Sequence, residues 1–137
     1  MKINQLVPEL AVTDINKSLA FYVDILGFNI SYQRPAEGFA FLVLDDAQLM
    51  LDEIDSGRTW RTGELNFPLG RGIHFQITVN NINSLLARLK QHNIELFLEL
   101  EEKWYQQNNN KIGYQQFLVM DPDGYLLRFV VDVSYQV

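Results

Sequence analysis

The sequence predicts an α+β fold made of two paired βαβββ modules, and this prediction depends on two internal repeats and on the spacing of apolar residues. The pattern LAVTDI at Leu10–Ile15 is matched by ITVNNI at Ile77–Ile82, at an offset of 67 in a chain of 137 residues. The pattern FLVLD at Phe41–Asp45 returns as FLVMD at Phe117–Asp121, at an offset of 76. Repeats at such offsets indicate that one supersecondary unit occurs twice.

Each module is expected to begin with a strand followed by a helix. Apolar residues recur at helical spacing after Asp14 and again after Asn81, and both of these residue types are good helix N-caps. Gly27 and Asn93 follow the two apolar stripes, and each can take the left-handed conformation that ends a helix. The two helices are therefore predicted to have the same design.

Three strands are expected after each helix. They are predicted at Phe28–Arg34, Phe39–Leu44, Leu49–Glu53, Glu95–Leu100, Tyr114–Met120 and Tyr125–Asp132. The predicted organisation is a first module at residues 1–56, an irregular connection at 57–71 and a second module at 72–137. The second module carries nine extra residues in or near Glu101–Gly113, and this polar and aromatic stretch predicts a long hairpin loop.

Composition excludes several classes of function. The chain has 11 Lys and Arg against 17 Asp and Glu, a formal net charge of −6, so a basic face for the phosphate backbone of a nucleic acid is not expected. It has no Cys, which excludes disulfides and thiolate metal sites and favours the reducing cytoplasm. No apolar run approaches the roughly 20 residues that a membrane-spanning helix needs, so no membrane partner is expected.

Alternation along the predicted strands gives each sheet an apolar face and a mixed face. The apolar set, which suits packing beneath the helices, comprises Leu10, Val12, Leu49, Leu51, Phe75, Ile77, Val79, Tyr125, Leu127 and Phe129. The opposite set is mixed in polarity and comprises Val7, Glu9, Met50, Asp52, His74, Gln76, Thr78, Leu126 and Arg128. A face that is neither fully apolar nor fully solvated is typical of a ligand cavity.

The segments LAVTDINKSLAFYVDILGF and DPDGYLLRF, together with the two modules, resemble the vicinal oxygen chelate superfamily, which includes glyoxalase I, extradiol dioxygenases and bleomycin resistance proteins. In its metal-dependent members, four side chains from the first and last strands of each module hold a divalent ion. The resemblance and the two offsets place these positions at Val7, Asp52, His74 and Arg128.

These four residues are not expected to form a metal site. Valine has no lone pair, and the guanidinium of Arg128 is a cation with no acceptor. Asp52 and His74 alone would give a weak site even for zinc, so no metal and no other cofactor is expected. Asp52 and Arg128 are expected to neutralise each other, because an unpaired buried charge is costly.

In lacking the metal ligands, the sequence resembles the bleomycin resistance branch of the superfamily. Pro8 follows the lost first ligand, and the phrases GRGIHFQITV, EEKWYQQ and QQFLVMDPDGYLLRF look like a bacterial part of that branch. The resemblance implies an arm-exchanged homodimer with two clefts at the subunit junction. Such clefts would sequester a bulky cationic glycopeptide antibiotic, a bleomycin-like small molecule, without destroying it.

The candidate ligand-binding set combines aromatic residues of the connecting stretches with polar residues of the mixed face. It comprises Asp52, Trp60, His74, Gln76, Trp104, Tyr105, Tyr114, Gln116 and Arg128, with no catalytic residue assigned. Loop aromatics can stack on heterocycles or attract cations, but they can equally seal a dimer interface. His74 is interpreted as a hydrogen-bonded wall residue, with general base and vestigial ligand as alternatives.

Two other functions are consistent with the same residues. One is a metal-dependent or His-assisted enzyme of the glyoxalase and dioxygenase superfamily. The other is a cleft that binds an unrelated metabolite, because a fold does not fix a function.

Overall fold

The computed structural model describes residues 1–56 and 60–134, so the predictions made for 57–59 and 135–137 lie outside the described residues. The chain divides into two compact units. The first unit comprises Met1–Leu69 with Pro122–Gly124, and the second comprises Gly70–Asp121 with the chain from Tyr125 onward. Each unit has one four-stranded mixed sheet and one helical region, which confirms the predicted α+β class.

The first unit follows the order strand, helix, three strands. Its elements are β1 (Glu9–Val12), α1 (Ile15–Leu19), which continues as a π-helical segment (Ala20–Ile25), β2 (Asn29–Arg34), a 3₁₀ turn (Pro35–Glu37), β3 (Phe39–Leu44) and β4 (Ala47–Glu53). The strands lie in the order β1-β4-β3-β2, with β1 parallel to β4 and the other pairs antiparallel.

Local side-chain chemistry sets the bounds of α1. The Asp14 carboxylate accepts the backbone N–H groups of Asn16 and Lys17 at 3.0 and 3.2 Å, which satisfies donors that the first turn leaves free. Glu53 at the end of β4 accepts the N–H of Ile15 at 2.9 Å. Gly27 has φ +87°, so the helical region ends on the residue that the sequence predicts.

The second unit repeats the order. Its elements are β5 (His74–Thr78), α2 (Ile82–Gln91), β6 (Leu98–Gln107), β7 (Asn110–Met120) and β8 (Leu126–Asp132), with strand order β5-β8-β7-β6. The Asn81 side chain caps α2 by accepting the N–H of Ser84 at 3.1 Å, and Asn93 has φ +57° beyond its end. None of the helices in residues 1–56 and 60–134 has the length and apolar character of a membrane span.

The predicted division of each sheet into two faces agrees with the burial of its residues. All of the predicted apolar set is buried except Phe75, which is half-buried. Glu9, His74, Gln76 and Thr78 of the mixed set are exposed. The predicted apolar set therefore packs on the sheet face opposite these exposed polar residues.

The stretch Glu101–Gly113 forms a hairpin, as the sequence predicts, but the expectation that it is a long loop is wrong, because nearly all of it lies in two strands. Strand β6 continues to Gln107, Asn108 takes a left-handed conformation with φ +53°, and β7 begins at Asn110. The apolar alternation that marks a strand is missing here because β6 is exposed along almost its whole length. Trp104, Tyr105 and Tyr114 consequently lie in strands, not in connecting loops.

The strand registers also correct the equivalence of the two modules. Leu10 pairs with Leu51 in the first unit, and Ile77 pairs with Phe129 in the second. With the first strands related by 67 residues, the last strands are related by 78, from residue 51 to residue 129, and not by 76. The position that corresponds to Arg128 is therefore Met50, because Asp52 corresponds to Val130.

Candidate functional site

The first unit carries a pocket on its mixed sheet face. Glu9 pairs with Met50 and Ala11 with Asp52 across the parallel strands β1 and β4, which places these four side chains on one face. Together with Trp60 they line a pocket of about 260 Å³. Asp52 is only 8% exposed, whereas Trp60 is 78% exposed. The structure thus brings two of the predicted residues, Asp52 and Trp60, into one pocket.

The two carboxylates of this pocket influence each other. Burial raises the pKa of Glu9 above its ordinary value, and the Asp52 carboxylate raises it further, while the Arg34 guanidinium acts in the opposite direction. The partial burial of Glu9 and its proximity to Asp52 therefore make its ionised form less favourable than that of a free glutamate. A cationic group placed in the pocket would relieve this repulsion.

Aromatic rings continue the same face across the sheet. Phe39 pairs with Asp52 and Phe41 with Met50. The ring of Tyr32 on β2 stacks on Phe41, with centroids 5.2 Å apart and planes 16° from parallel. The Arg34 guanidinium lies 4.0 Å from the centroid of Phe39. Flat apolar and cationic surfaces of this kind can contact a planar ligand.

Sequence reasoning assigned Glu9 and Met50 to the mixed face but not to the ligand-binding set, and it gave Tyr32 no role. The signal for Tyr32 is its place in an antiparallel strand opposite Phe41, which becomes visible only when the register is known. The registers, not the sequence pattern alone, therefore define this part of the site.

The second unit carries a hydrogen-bonded network on its mixed face. Arg128 on β8 donates from Nε and Nη2 to the Oε1 of Gln116 on β7, at 2.9 and 2.7 Å. Gln116 is 5% exposed, and its Nε2 donates to Glu101 Oε1 at 2.9 Å and, less closely, to the Tyr105 hydroxyl oxygen at 3.4 Å. A buried amide thus connects a carboxylate to a guanidinium. Glu101 is a member of this network that sequence reasoning missed.

Further predicted residues lie on the same face as this network. Gln76 pairs with Arg128, and His74 lies two residues earlier on β5, so both project to the side of Arg128. The rings of Tyr105 and Tyr114 lie 6.2 Å apart at 53°. One sheet face therefore carries His74, Gln76, Tyr105, Tyr114, Gln116 and Arg128.

Trp104 lies on the opposite face of that sheet. It pairs with Gly113, and its indole ring covers this glycine so closely that a Cβ there would stand 2.7 Å from ring atoms. Its Nε1 donates to the Glu102 carboxylate at 3.1 Å. Successive residues of a strand point to opposite sides, so Trp104 is separated from Tyr105 and from the other candidates of this unit.

The side chains at the positions that hold the metal in the metal-dependent members do not fit a divalent cation. With the register correction these positions are Val7, Met50, His74 and Arg128, and only His74 offers a ligand of the kind such ions prefer. Over residues 1–56 and 60–134, no group of three or more His, Asp or Glu side chains is placed to hold a metal ion. The pairing of Asp52 with Arg128 stays a prediction.

Comparison with known proteins gives a consistent family relationship. The family model described as the Glyoxalase/Bleomycin resistance protein/Dioxygenase superfamily matches residues 2–129. A bleomycin resistance protein of Geobacillus stearothermophilus is 30% identical over 139 residues, which cover 95% of this chain and 98% of that protein. A bleomycin resistance protein of Staphylococcus aureus strain N315 matches with the same identity and coverage.

Solved structures agree at the level of the fold. TioX from Micromonospora sp. ML1 matches with a TM-score of 0.70 and 21% identity, covering 93% of this chain and 98% of its own. A glyoxalase/bleomycin resistance protein/dioxygenase from Alicyclobacillus acidocaldarius matches with a TM-score of 0.59 and 23% identity, covering 96% and 95% of the two chains.

Proposed function

Because this chain belongs to the glyoxalase/bleomycin resistance protein/dioxygenase superfamily, we propose that it is a metal-free binding protein of the bleomycin resistance type. In this proposal it holds a bulky cationic small molecule and removes it from solution without converting it. The role is proposed for a reducing compartment such as the cytoplasm, which the absence of cysteine favours. The proposed assembly is an arm-exchanged homodimer with a cleft at each subunit junction.

The observation that carries the proposal is the pocket of the first unit. Two carboxylates, Glu9 and Asp52, and the exposed indole of Trp60 line the same space of about 260 Å³. A cation is attracted by both the carboxylates and the face of an aromatic ring, and a cation over a ring contributes about 0.5–2 kcal/mol. Burial and the Asp52 carboxylate raise the pKa of Glu9, which means that a bound cation would favour the ionised form of Glu9.

The residues at the metal positions favour binding over conversion. Val7 and Met50 offer no hard ligand, and Arg128 brings a positive charge to the place where a divalent ion would stand. His74 is exposed on the sheet face that carries Arg128. In the proposed mechanism the ligand is held by non-covalent contacts and no covalent step occurs.

A fluorescence titration with metal-free bleomycin tests the proposal. Only two tryptophans are present, and they differ in position: Trp60 lines the pocket, whereas Trp104 covers Gly113 on a sheet face without candidate residues. We expect a saturable change in the wild-type protein and in Trp104→Phe, and loss of most of this change in Trp60→Phe. A saturable signal that remains in Trp60→Phe and disappears in Trp104→Phe would contradict the assignment of the pocket.

A further inference from the structure

Within residues 1–56 and 60–134, the guanidinium of Arg128 donates hydrogen bonds from only one of its edges. A guanidinium has five N–H donors, and Nε and one Nη2 proton form its side edge. Both donors of this edge go to a single acceptor, the Oε1 of Gln116, at 2.9 and 2.7 Å. The adjoining edge, formed by Nη1 and the second Nη2 proton, carries two parallel N–H groups for which the described residues supply no hydrogen-bond acceptor.

The position of Arg128 is fixed by the orientation of the Gln116 amide. The Nε2 of Gln116 donates to Glu101 Oε1 at 2.9 Å, and a flipped amide would place its oxygen against that carboxylate. Since Gln116 is also buried, its oxygen is held toward Arg128. A neutral amide, and not a carboxylate, thus positions the guanidinium.

Arg128 forms no ion pair with a carboxylate of its own unit among the described residues. Among residues 1–56 and 60–134, the ion pairs are Arg34 with Glu37 and Arg61 with Asp55, and Arg128 takes part in neither. Its hydrogen-bond partner is the neutral Gln116 amide, and the polar residues of β5 on the same sheet face, Gln76 and His74, carry no negative charge. Glu101 is connected to Arg128 only through the Gln116 amide.

We propose that the free edge of Arg128 binds a carboxylate group of a small molecule, with Gln116 as the positioning residue. The two oxygens of a carboxylate match two parallel N–H donors, and such charge-assisted bidentate pairs are the strongest hydrogen bonds that Arg makes. Gln76 lies in register with Arg128 on the neighbouring strand and on the same sheet face, and in this proposal its amide is a second donor to the carboxylate. This inference concerns the second unit and does not depend on the ligand proposed for the pocket of the first.

Benzoate and benzamide, titrated at constant ionic strength into the full chain labelled with ¹⁵N, test this site. The two probes share a ring, but only benzoate has two equivalent oxygens and a negative charge. We expect benzoate to shift the Nε–H signal of Arg128 saturably, with a dissociation constant on the order of a millimolar. Benzamide is expected to shift it at least tenfold less at the same concentration.

Two variants distinguish a positioned guanidinium from a simple positive charge. Benzoate binding to both is followed through the backbone amide signals of β7 and β8, because the Nε–H signal is lost when Arg128 is replaced. Arg128→Lys keeps the charge but loses the two parallel donors, and it is expected to weaken benzoate binding at least tenfold, whereas Arg71→Lys at an exposed position serves as control. Gln116→Glu places a carboxylate directly against Arg128 and is expected to abolish benzoate binding.

Each outcome of these titrations decides the proposal. Equal shifts with benzoate and benzamide, or unchanged binding in Arg128→Lys, would overturn it, because the ring or the bare charge would then suffice. The amide spectrum of each variant establishes that it is folded. If bleomycin does not bind but benzoate does, the proposed function is wrong and the carboxylate site is supported. If bleomycin binds but benzoate does not, the carboxylate site is wrong and the proposed function is supported.

Discussion

The most informative perturbation of the pocket in the first unit is removal of its buried carboxylate by Asp52→Asn. The substitution keeps the shape of the side chain and deletes one charge. Asp52 is more than nine-tenths buried, so solvent and salt screen its interaction with a bound cation only weakly. A hydrogen bond to a charged group contributes about 1.5–3 kcal/mol, which corresponds to a loss of roughly 10-fold to 150-fold in affinity.

Glu9→Gln serves as an internal comparison because Glu9 is exposed. Exposed ion pairs contribute about 0.2–1 kcal/mol, so we expect a loss of no more than about fivefold in affinity. Asp24→Asn, on the exposed surface of the helical region, makes the same change in net charge away from the pocket and is expected to leave affinity unchanged. The two pocket variants should therefore differ by at least a factor of about two.

Isothermal titration calorimetry with metal-free bleomycin at two salt concentrations is the suitable assay. Thermal denaturation of each variant establishes that Asp52→Asn remains folded at the temperature of the titration. An equal loss of affinity in Asp52→Asn and Asp24→Asn would contradict a specific role of the Asp52 carboxylate, because net charge alone would then explain binding. Unchanged affinity in Asp52→Asn would exclude the pocket as the cation site.

Three further predictions concern stability. The N–H of Ile15 and then the Ser56 hydroxyl hold the pKa of Glu53 below its ordinary value. The stability that results is present above the pKa of the unfolded state and is lost as the pH falls through the pKa of the folded state. Glu53→Gln should therefore make the free energy of unfolding less dependent on pH in the acid range. Ser18→Ala should raise the free energy of unfolding by about 1 kcal/mol, because the Ser18 hydroxyl is buried without a partner among the described residues; no gain in urea denaturation would contradict this. Asp14→Ala should lower it by about 1 kcal/mol through loss of the helix cap, and an unchanged denaturation midpoint would show that the cap is dispensable.

The features that the sequence predicted correctly are those that depend on neighbouring residues. The caps Asp14 and Asn81 act within one turn of their helices, and the left-handed positions at Gly27 and Asn93 are also local. Alternation in β1, β4, β5 and β8 follows from burial of one face of each sheet. These signals need no knowledge of which strands pair.

The features that the sequence did not predict depend on pairing between distant residues. The contact between Gln116 and Glu101 requires the register of β6 and β7, in which an irregularity lies between Leu98 and Glu101. The correction from Asp52 to Met50 likewise comes from the ladder registers, because the similar FLVLD and FLVMD segments suggested an offset that strand pairing does not follow. The separation of Trp104 from Tyr105 became visible once both were placed in a strand.

We propose that this chain binds its ligand through protein side chains and without a metal. The most direct test is a calorimetric titration of metal-free bleomycin into the wild-type protein before and after treatment with a strong chelator, with elemental analysis of both samples. We expect saturable binding with the same affinity in both samples and no stoichiometric transition metal. Binding that chelation abolishes and that returns when zinc, nickel, iron or manganese is added would contradict it.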